Sequence, residues 1–201
     1  MKTALTAAAV LALGFATGAV AGSNSNYKAA LHVIPHEERT CDANWPEITD
    51  CAEINTTYQG CGDFDVFPVF FDLTEVRRIE YALTWPAQWG DCVFTPCAGD
   101  YTIGGIVLPG DGIAHVWTQC HRAEIVVTGY ARFPAAVSPG LLALAANPAT
   151  GFLGATDCDG IRDFATGLAA SGVCGIPGED ACDCGCSPGS GTWSAIKSMF
   201  R

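Results

Sequence analysis

The chain has 201 residues, a formal net charge of −11 from 21 acidic and 10 basic side chains, and 11 cysteines. Nucleic acid and anionic membrane surfaces are held by clustered Lys and Arg, so this balance excludes both as natural partners, while it suits solubility and cation binding. Every cysteine follows residue 40 and lies behind an export segment, which points to an oxidising compartment and makes disulfides the first use of these residues.

In chain order, residues 1–21 read as a secretory signal. Lys2 supplies the positive start, Ala7 to Val20 the apolar core, and Ala19-Val20-Ala21 a small-x-small cleavage site, which makes Gly22 the first mature residue. The apolar core is short for a membrane anchor and no later run is apolar enough to cross a bilayer, so the mature chain is expected to have no membrane span. The expected location is secreted, extracellular or cell-surface, with the periplasm as an alternative.

Residues 22–170 are expected to form one β-sandwich domain. Leu31 and Val33 mark a first strand before Pro35, and Cys41 to Gly62 reads as a polar, cysteine-punctuated loop. Phe64 to Leu73 is a strongly apolar strand with Phe67, Val69, Phe71 and Leu73 on one face, and Pro68 within it suggests an edge or a bulge. Arg78 to Trp85 alternates most clearly, Ile79, Tyr81, Leu83 and Trp85 against Arg78, Glu80, Ala82 and Thr84. Further strands are expected over Tyr101 to Leu108, Ile113 to Cys120, Glu124 to Phe133, Leu141 to Ala146 and Phe152 to Thr156, with a short helix around Phe164 to Ala170. Strands separated by Gly, Pro and Asp turns, with no room for helical crossovers, predict an all-β antiparallel sandwich with disulfide-rich loops. Residues 171–191 read as a Gly/Pro/Cys-rich linker. Residues 192–201 read as a short amphipathic recognition segment, with Trp193, Ile196 and Phe200 at helical spacing.

Cys41, Cys51, Cys61, Cys92, Cys97, Cys120, Cys158 and Cys174 are expected to be disulfide-bonded. The first six suffice for three bridges whose connectivity spacing cannot fix, and Cys158 with Cys174 is the preferred local bridge. Cys182, Cys184 and Cys186 leave an odd count, read as a further disulfide plus one free or intermolecular thiol, or as a thiolate metal or exchange site.

No nucleophile elbow, zinc-protease helix or phosphate loop is present. His32 and His36 are four apart, but Pro35 and the strand-like flanks argue against a helical metal pair. Asp63, Asp65, Asp72, Glu75 and Glu80 are dense enough to raise a carboxylate-dependent hydrolase as an alternative. The best small site is Asp157-Cys158-Asp159-Gly160-Ile161-Arg162-Asp163. Alternating Asp followed by Gly is how a short loop converges oxygens on calcium, so Asp157, Asp159 and Asp163 are the candidate ligands. Ala155 and Thr166 stand where the first Asp and closing Glu would be. Trp45 and Trp89, in loops, are the candidates for stacking on a sugar, whereas Trp85 and Trp117 are expected in the core.

The runs Cys61-Gly-Asp-Phe-Asp-Val-Phe-Pro-Val-Phe-Phe-Asp-Leu, Leu83-Thr-Trp-Pro-Ala-Gln-Trp-Gly-Asp-Cys-Val-Phe-Thr-Pro-Cys-Ala-Gly-Asp and Pro109-Gly-Asp-Gly-Ile-Ala-His resemble uncharacterised secreted proteins of uncultured bacteria. Many of these end in a Thr-Trp-Gly-x-Ile-Lys-x-x-Tyr-Arg-like tail, for which this chain has Ser194 in place of that Gly and Phe200 in place of that Tyr. The resemblance covers most of the mature chain. It implies a secreted β-sandwich similar in strand pattern to cohesin-like or immunoglobulin-like modules, and no activity. The expected function is a non-enzymatic interaction module for adhesion, protein binding or carbohydrate binding. The alternatives are a structural subunit that assembles with itself and a secreted hydrolase.

Overall fold

The computed structural model describes residues 22–42, 46–135 and 137–181, and within them fourteen strands. In chain order these are β1 (Lys28–Pro35), β2 (Thr57–Tyr58), β3 (Phe64–Phe71), β4 (Val76–Thr84), β5 (Val93–Pro96), β6 (Tyr101–Gly104) and β7 (Gly112–His121). They continue with β8 (Ile125–Val127), β9 (Gly129–Phe133), β10 (Gly140–Ala145), β11 (Gly154–Thr156), β12 (Arg162–Phe164), β13 (Gly167–Ala169) and β14 (Ser171–Val173).

Two sheets result. The first runs β13-β1-β3-β9-β5, with β8 also on β3. The second runs β12-β11-β4-β10-β14-β2, with β7 on the other side of β4 and β6 beyond it. Both are mixed rather than purely antiparallel, because β13 joins β1 and β14 joins β2 in parallel. The all-β, sandwich-like expectation holds at this level.

Inward side chains of both sheets share one core. Leu31, Val33, Phe64, Val66 and Phe70 of the first sheet meet Ile79, Tyr81, Leu83, Ile113 and Leu142 of the second. The alternation of β4 is legible for this reason: every second residue enters that core. β3 differs, since all eight of its residues are buried. Phe67, Val69 and Phe71 form a second cluster on the outer face with Ala30 and Tyr130, covered in part by Ile48 and Ile54 from the long loop. Leu73 belongs to the inner core instead. Pro68 sits in a central strand, and the bulge lies opposite it. Val66 pairs with Ala131 on β9 and Val69 with Val127 on β8, so Phe67 and Pro68 face Thr128, Gly129 and Tyr130. Thr128 N–H, at that break, donates to Pro68 O at 3.1 Å. The expected single strand over 124–133 is split there into β8 and β9.

Residues 164–170 are not helical. Gly167 to Ala169 extend as β13, which covers the edge of β1, and Arg162 to Phe164 pair with β11 as β12. The domain also runs past residue 170. Ser171 Oγ donates to Leu31 O at 2.5 Å, and Glu179 accepts the Ala170 N–H at 2.9 Å. Residues 1–21, expected to be the export signal, and Trp45, Cys182, Cys184, Cys186 and the terminal Trp193, Ile196 and Phe200 lie outside the described residues.

Topology also sets the disulfides, which are Cys41–Cys97, Cys61–Cys174 and Cys120–Cys158. The expected Cys158–Cys174 bridge is not formed. Parallel pairing of β2 with β14 brings Cys174 N–H to Gly60 O, beside Cys61. Cys158, two residues beyond Thr156 opposite Arg78, meets Cys120, which precedes His121 opposite Val76. Cys51 is also disulfide-bonded. Cys92 is not: it is a free thiol in the core, 3.8 Å from Ile106 O. Burial pushes its thiol pKa up to about 12, so it packs as a small apolar residue and is a poor nucleophile.

Candidate functional site

One side of the molecule is bounded by two edge strands. Among the described residues, β5 pairs only with β9, and β6 only with β7. Along this side Val93 is 60% exposed, and Tyr101, Ile103, Val107 and Leu108 are each about half exposed. Tyr101 and Ile103 share a face of β6 by the two-residue period. The following loop turns inward at Ile106, which is buried, and so leaves Val107 and Leu108 outward. Asp111 fixes that loop by accepting the N–H groups of Val107 (3.1 Å) and Leu108 (2.8 Å). Cys92 N–H donates to Val107 O at 3.0 Å, which ties the start of β5 to the same loop. At Gly104 the φ of +84° is in the left-handed region, and a Cβ would collide with Gly112 O, so only glycine ends β6 in this way. Such edges are usually charged or covered; among the described residues this one presents apolar side chains and a strand side without a pairing strand.

Beside it, on the outer face of the first sheet, lies a cleft of 520 Å³ lined by His36, Arg39, Val93, Thr95, Tyr130 and Arg132 among others. Its charges are already matched. Asp65, fully buried, accepts from Arg39 Nε at 2.7 Å and lies 3.0 Å from His36 Nδ1. Arg39 lies over the Phe67 ring at 5.6 Å, and Arg132 pairs with the carboxylate of Asp63 at 3.1 Å. This is a structural ion network under a surface hollow rather than an open anion site.

The other candidate carboxylates are engaged separately: Asp63 by Arg132, Asp72 by Lys28 and Glu75 by Arg122, with Glu80 the most buried of them. Glu80 is fully buried on β4, 2.8 Å from Arg78 Nε, and accepts from Thr150 Oγ1 at 2.8 Å. Asp65 and Glu80 belong to different sheets, each with its own arginine, and are not brought together across a cleft as a glycosidase pair would be. His32 and His36 also separate: His32 accepts from Asn55 N–H at 3.0 Å, and His36 turns to Asp65.

Asp157, Asp159 and Asp163 do not bring an oxygen each within 4.8 Å of one another. Asp157 is buried, and its Oδ1 accepts from Asp159 N–H (3.0 Å) and Ile161 N–H (2.8 Å), its Oδ2 from Ser23 N–H (3.1 Å). Burial opposes its ionisation, but these N–H donors together hold its carboxyl below the usual range. Asp163 accepts from Gly22 and Asn24, and Asp159 is exposed. A calcium ion here would have to displace backbone donors. The one trio among the described residues with metal-ligand spacing is Glu75, Cys120 and Cys158, and its two sulfurs are joined in a disulfide.

Trp89 is a core residue, not a sugar platform. It is 4% exposed, with Phe64 and Phe133 packed edge-on against it and its indole N–H donating to Ser138 Oγ at 3.2 Å. Trp85 and Trp117 are buried as expected.

A buried polar chain crosses between the sheets. Tyr81 OH on β4 lies 2.7 Å from Thr128 Oγ1 and 3.1 Å from His115 Nε2, and His115 Nδ1 lies 3.1 Å from Ala98 O. Ala98 O can only accept, so Nδ1 carries the proton and Nε2 accepts from Tyr81. Burial drives the pKa of His115 down to about 4. His32 falls to about 4 as well, from burial and then the Arg39 charge. Below about pH 6.5 the unfolded chain takes up protons at these two positions and the folded chain does not, so stability is complete above that value and declines as the pH falls towards 4. His115→Gln is expected to flatten the decline in unfolding free energy between pH 6.5 and 4.5 by about 2 kcal/mol. Urea melts across this range check it, and a slope equal to the parent's would contradict the assignment.

Comparison with protein-family models, curated proteins and solved structures finds no match to the chain. What the fold defines is a class: a disulfide-stapled, two-sheet all-β protein with an apolar edge at β6.

Proposed function

We propose that this is an exported, non-enzymatic interaction module that takes an extended apolar segment of an extracellular partner protein along the β6 edge. The observation that carries this is the pairing of β6, among the described residues, on one side only, with Tyr101 and Ile103 displayed beside Val107 and Leu108. Strand addition to such an edge gives main-chain hydrogen bonds for affinity and alternate side-chain contacts for specificity. The export signal and the disulfides support the location outside the cytosol. In this reading the two sheets act as a rigid frame in the manner of immunoglobulin-like or cohesin-like modules. A non-catalytic role is supported by the separate neutralisation of Asp65 and Glu80.

Selection of displayed random peptides on the purified mature protein tests this reading. Peptides with alternating apolar residues are expected to be enriched, and Ile103→Lys is expected to weaken their binding at least tenfold while leaving the melting temperature unchanged. Enrichment that Ile103→Lys does not affect would sink the proposal. Concentration-dependent self-association abolished by the same substitution would replace it with the structural-subunit reading.

A further inference from the structure

The first residues after the expected cleavage site are held by two buried carboxylates. Asp163 Oδ1 accepts from the Gly22 nitrogen at 2.9 Å, its Oδ2 from Asn24 N–H at 3.0 Å, and Asp157 Oδ2 from Ser23 N–H at 3.1 Å. Asp157 is 1% exposed and Asp163 6%. Neither has an ion pair with a Lys, Arg or His among the described residues. Backbone donors offset the Asp157 charge, whereas Asp163 accepts from Gly22 and Asn24 and has no cation beside it among the described residues.

The approach is tailored to residue 22. A Cβ on Gly22 would fall on the Asp163 carboxylate and lie 2.8 Å from Asp157 Oδ2. Fully buried Asn24 anchors the segment, donating from Nδ2 to Glu75 O at 2.6 Å and accepting from Thr74 N–H at 2.9 Å. Position 22 is therefore fixed from both sides, and its nitrogen points at the uncompensated charge.

We propose that Asp157 and Asp163 form a binding site for a primary ammonium, the α-amino group of Gly22 released when residues 1–21 are removed. Hydrolysis by a signal peptidase adds water across the Ala21–Gly22 bond, leaving a carboxylate on Ala21 and on Gly22 an amine that is protonated near neutral pH. The amide donor at Asp163 thus becomes a charged one, and the cation that the two carboxylates lack is supplied by processing itself. Export maturation thereby locks the N-terminal segment onto β11 and β12, beside the Cys120–Cys158 bridge. The inference rests on the export reading for the position of the cut and is independent of what the β6 edge binds.

Two measurements test it. The intact mass of the protein recovered after export should correspond to a chain starting at Gly22, and any other start overturns the site. Chains starting at Gly22, with the amine free or acetylated, are then melted with Asp163 intact and as Asp163→Asn. Acetylation is expected to lower the melting temperature by about 5 °C in the parent and by much less in Asp163→Asn. Equal melting of the free and acetylated parent chains overturns the proposal even if Asp163→Asn fails to fold. In the folded parent, reductive methylation of the Gly22 amine should be at least tenfold slower than in the denatured chain, and equal rates would also overturn it. A correct start with no amine effect would leave the export reading standing while removing the ammonium site.

Discussion

Replacing Cys61 and Cys174 together by Ala is expected to destabilise the mature protein by about 4–5 kcal/mol, more than the loss of either Cys41–Cys97 or Cys120–Cys158. The bridge closes a span of 113 residues and joins the turn between β2 and β3 to the residue after β14. Cross-linking residues so far apart removes more freedom from the unfolded chain than a short loop does. The Cys120–Cys158 bridge spans 38 residues, and its loss should cost about 1 kcal/mol less by the same reasoning. Guanidinium unfolding of the two double variants gives the comparison. A Cys61/Cys174 variant as stable as the parent would show that the unfolded chain is already constrained elsewhere.

The second large effect is expected at Asp65. Asp65→Ala removes the closest partner of Arg39, at 2.7 Å, leaves that 5% exposed side chain only the weaker contacts to Glu37 (3.7 Å) and Pro35 O (3.1 Å) among those it makes nearby, and deprives His36 of its acceptor. Removing one member of a buried pair leaves the other charge poorly compensated and costs about 3–5 kcal/mol. Changing Arg39→Met as well should recover part of that loss, because the buried cation is then gone and the stem still covers Phe67. Urea melts of the single and double variants measure the coupling. An Asp65→Ala variant within about 0.5 kcal/mol of the parent would contradict a buried network and imply that Arg39 finds water.

Elements of this fold differ widely in how far the sequence reveals them. β4 is readable because its period-two pattern faces a core on one side, and the turn at Pro109 to Gly112 is readable from residue type. β3 is readable as a strand but not as a central one, since burial on both faces erases the alternation that identifies an inner face. The helix expected at 164–170 does not form because β13 is held by pairing with β1, nearly the whole chain away. Disulfide partners share that dependence: Cys158 lies close to Cys174 in sequence, yet each bonds to a cysteine brought over by topology. Trp89 reads as loop decoration because its short 3-10 turn, Ala87–Trp89, gives no periodic signal before it folds over Phe64 and Phe133.

The Asp157 loop shows the same division between local and distant causes. Asp-x-Asp-Gly announces a tight turn, and Asp157 does accept the N–H groups that close it. Nothing local shows that its remaining oxygen and Asp163 meet the polar segment Gly22 to Asn24, more than 130 residues away. For the β6 edge, the apolar spacing of Tyr101 and Ile103 is visible in the sequence, but exposure is a property of the missing neighbour strand.

Hydrogen exchange on the mature protein, alone and saturated with the strongest peptide from the display selection, is the most direct measure of the proposed role. Added protection confined to Tyr101–Gly104 and the Val107–Leu108 loop is the predicted result, because a strand added to β6 hydrogen-bonds those amides and covers those side chains. Protection centred instead on the hollow around His36, Thr95 and Arg132, with β6 unchanged, would contradict the edge as the binding face.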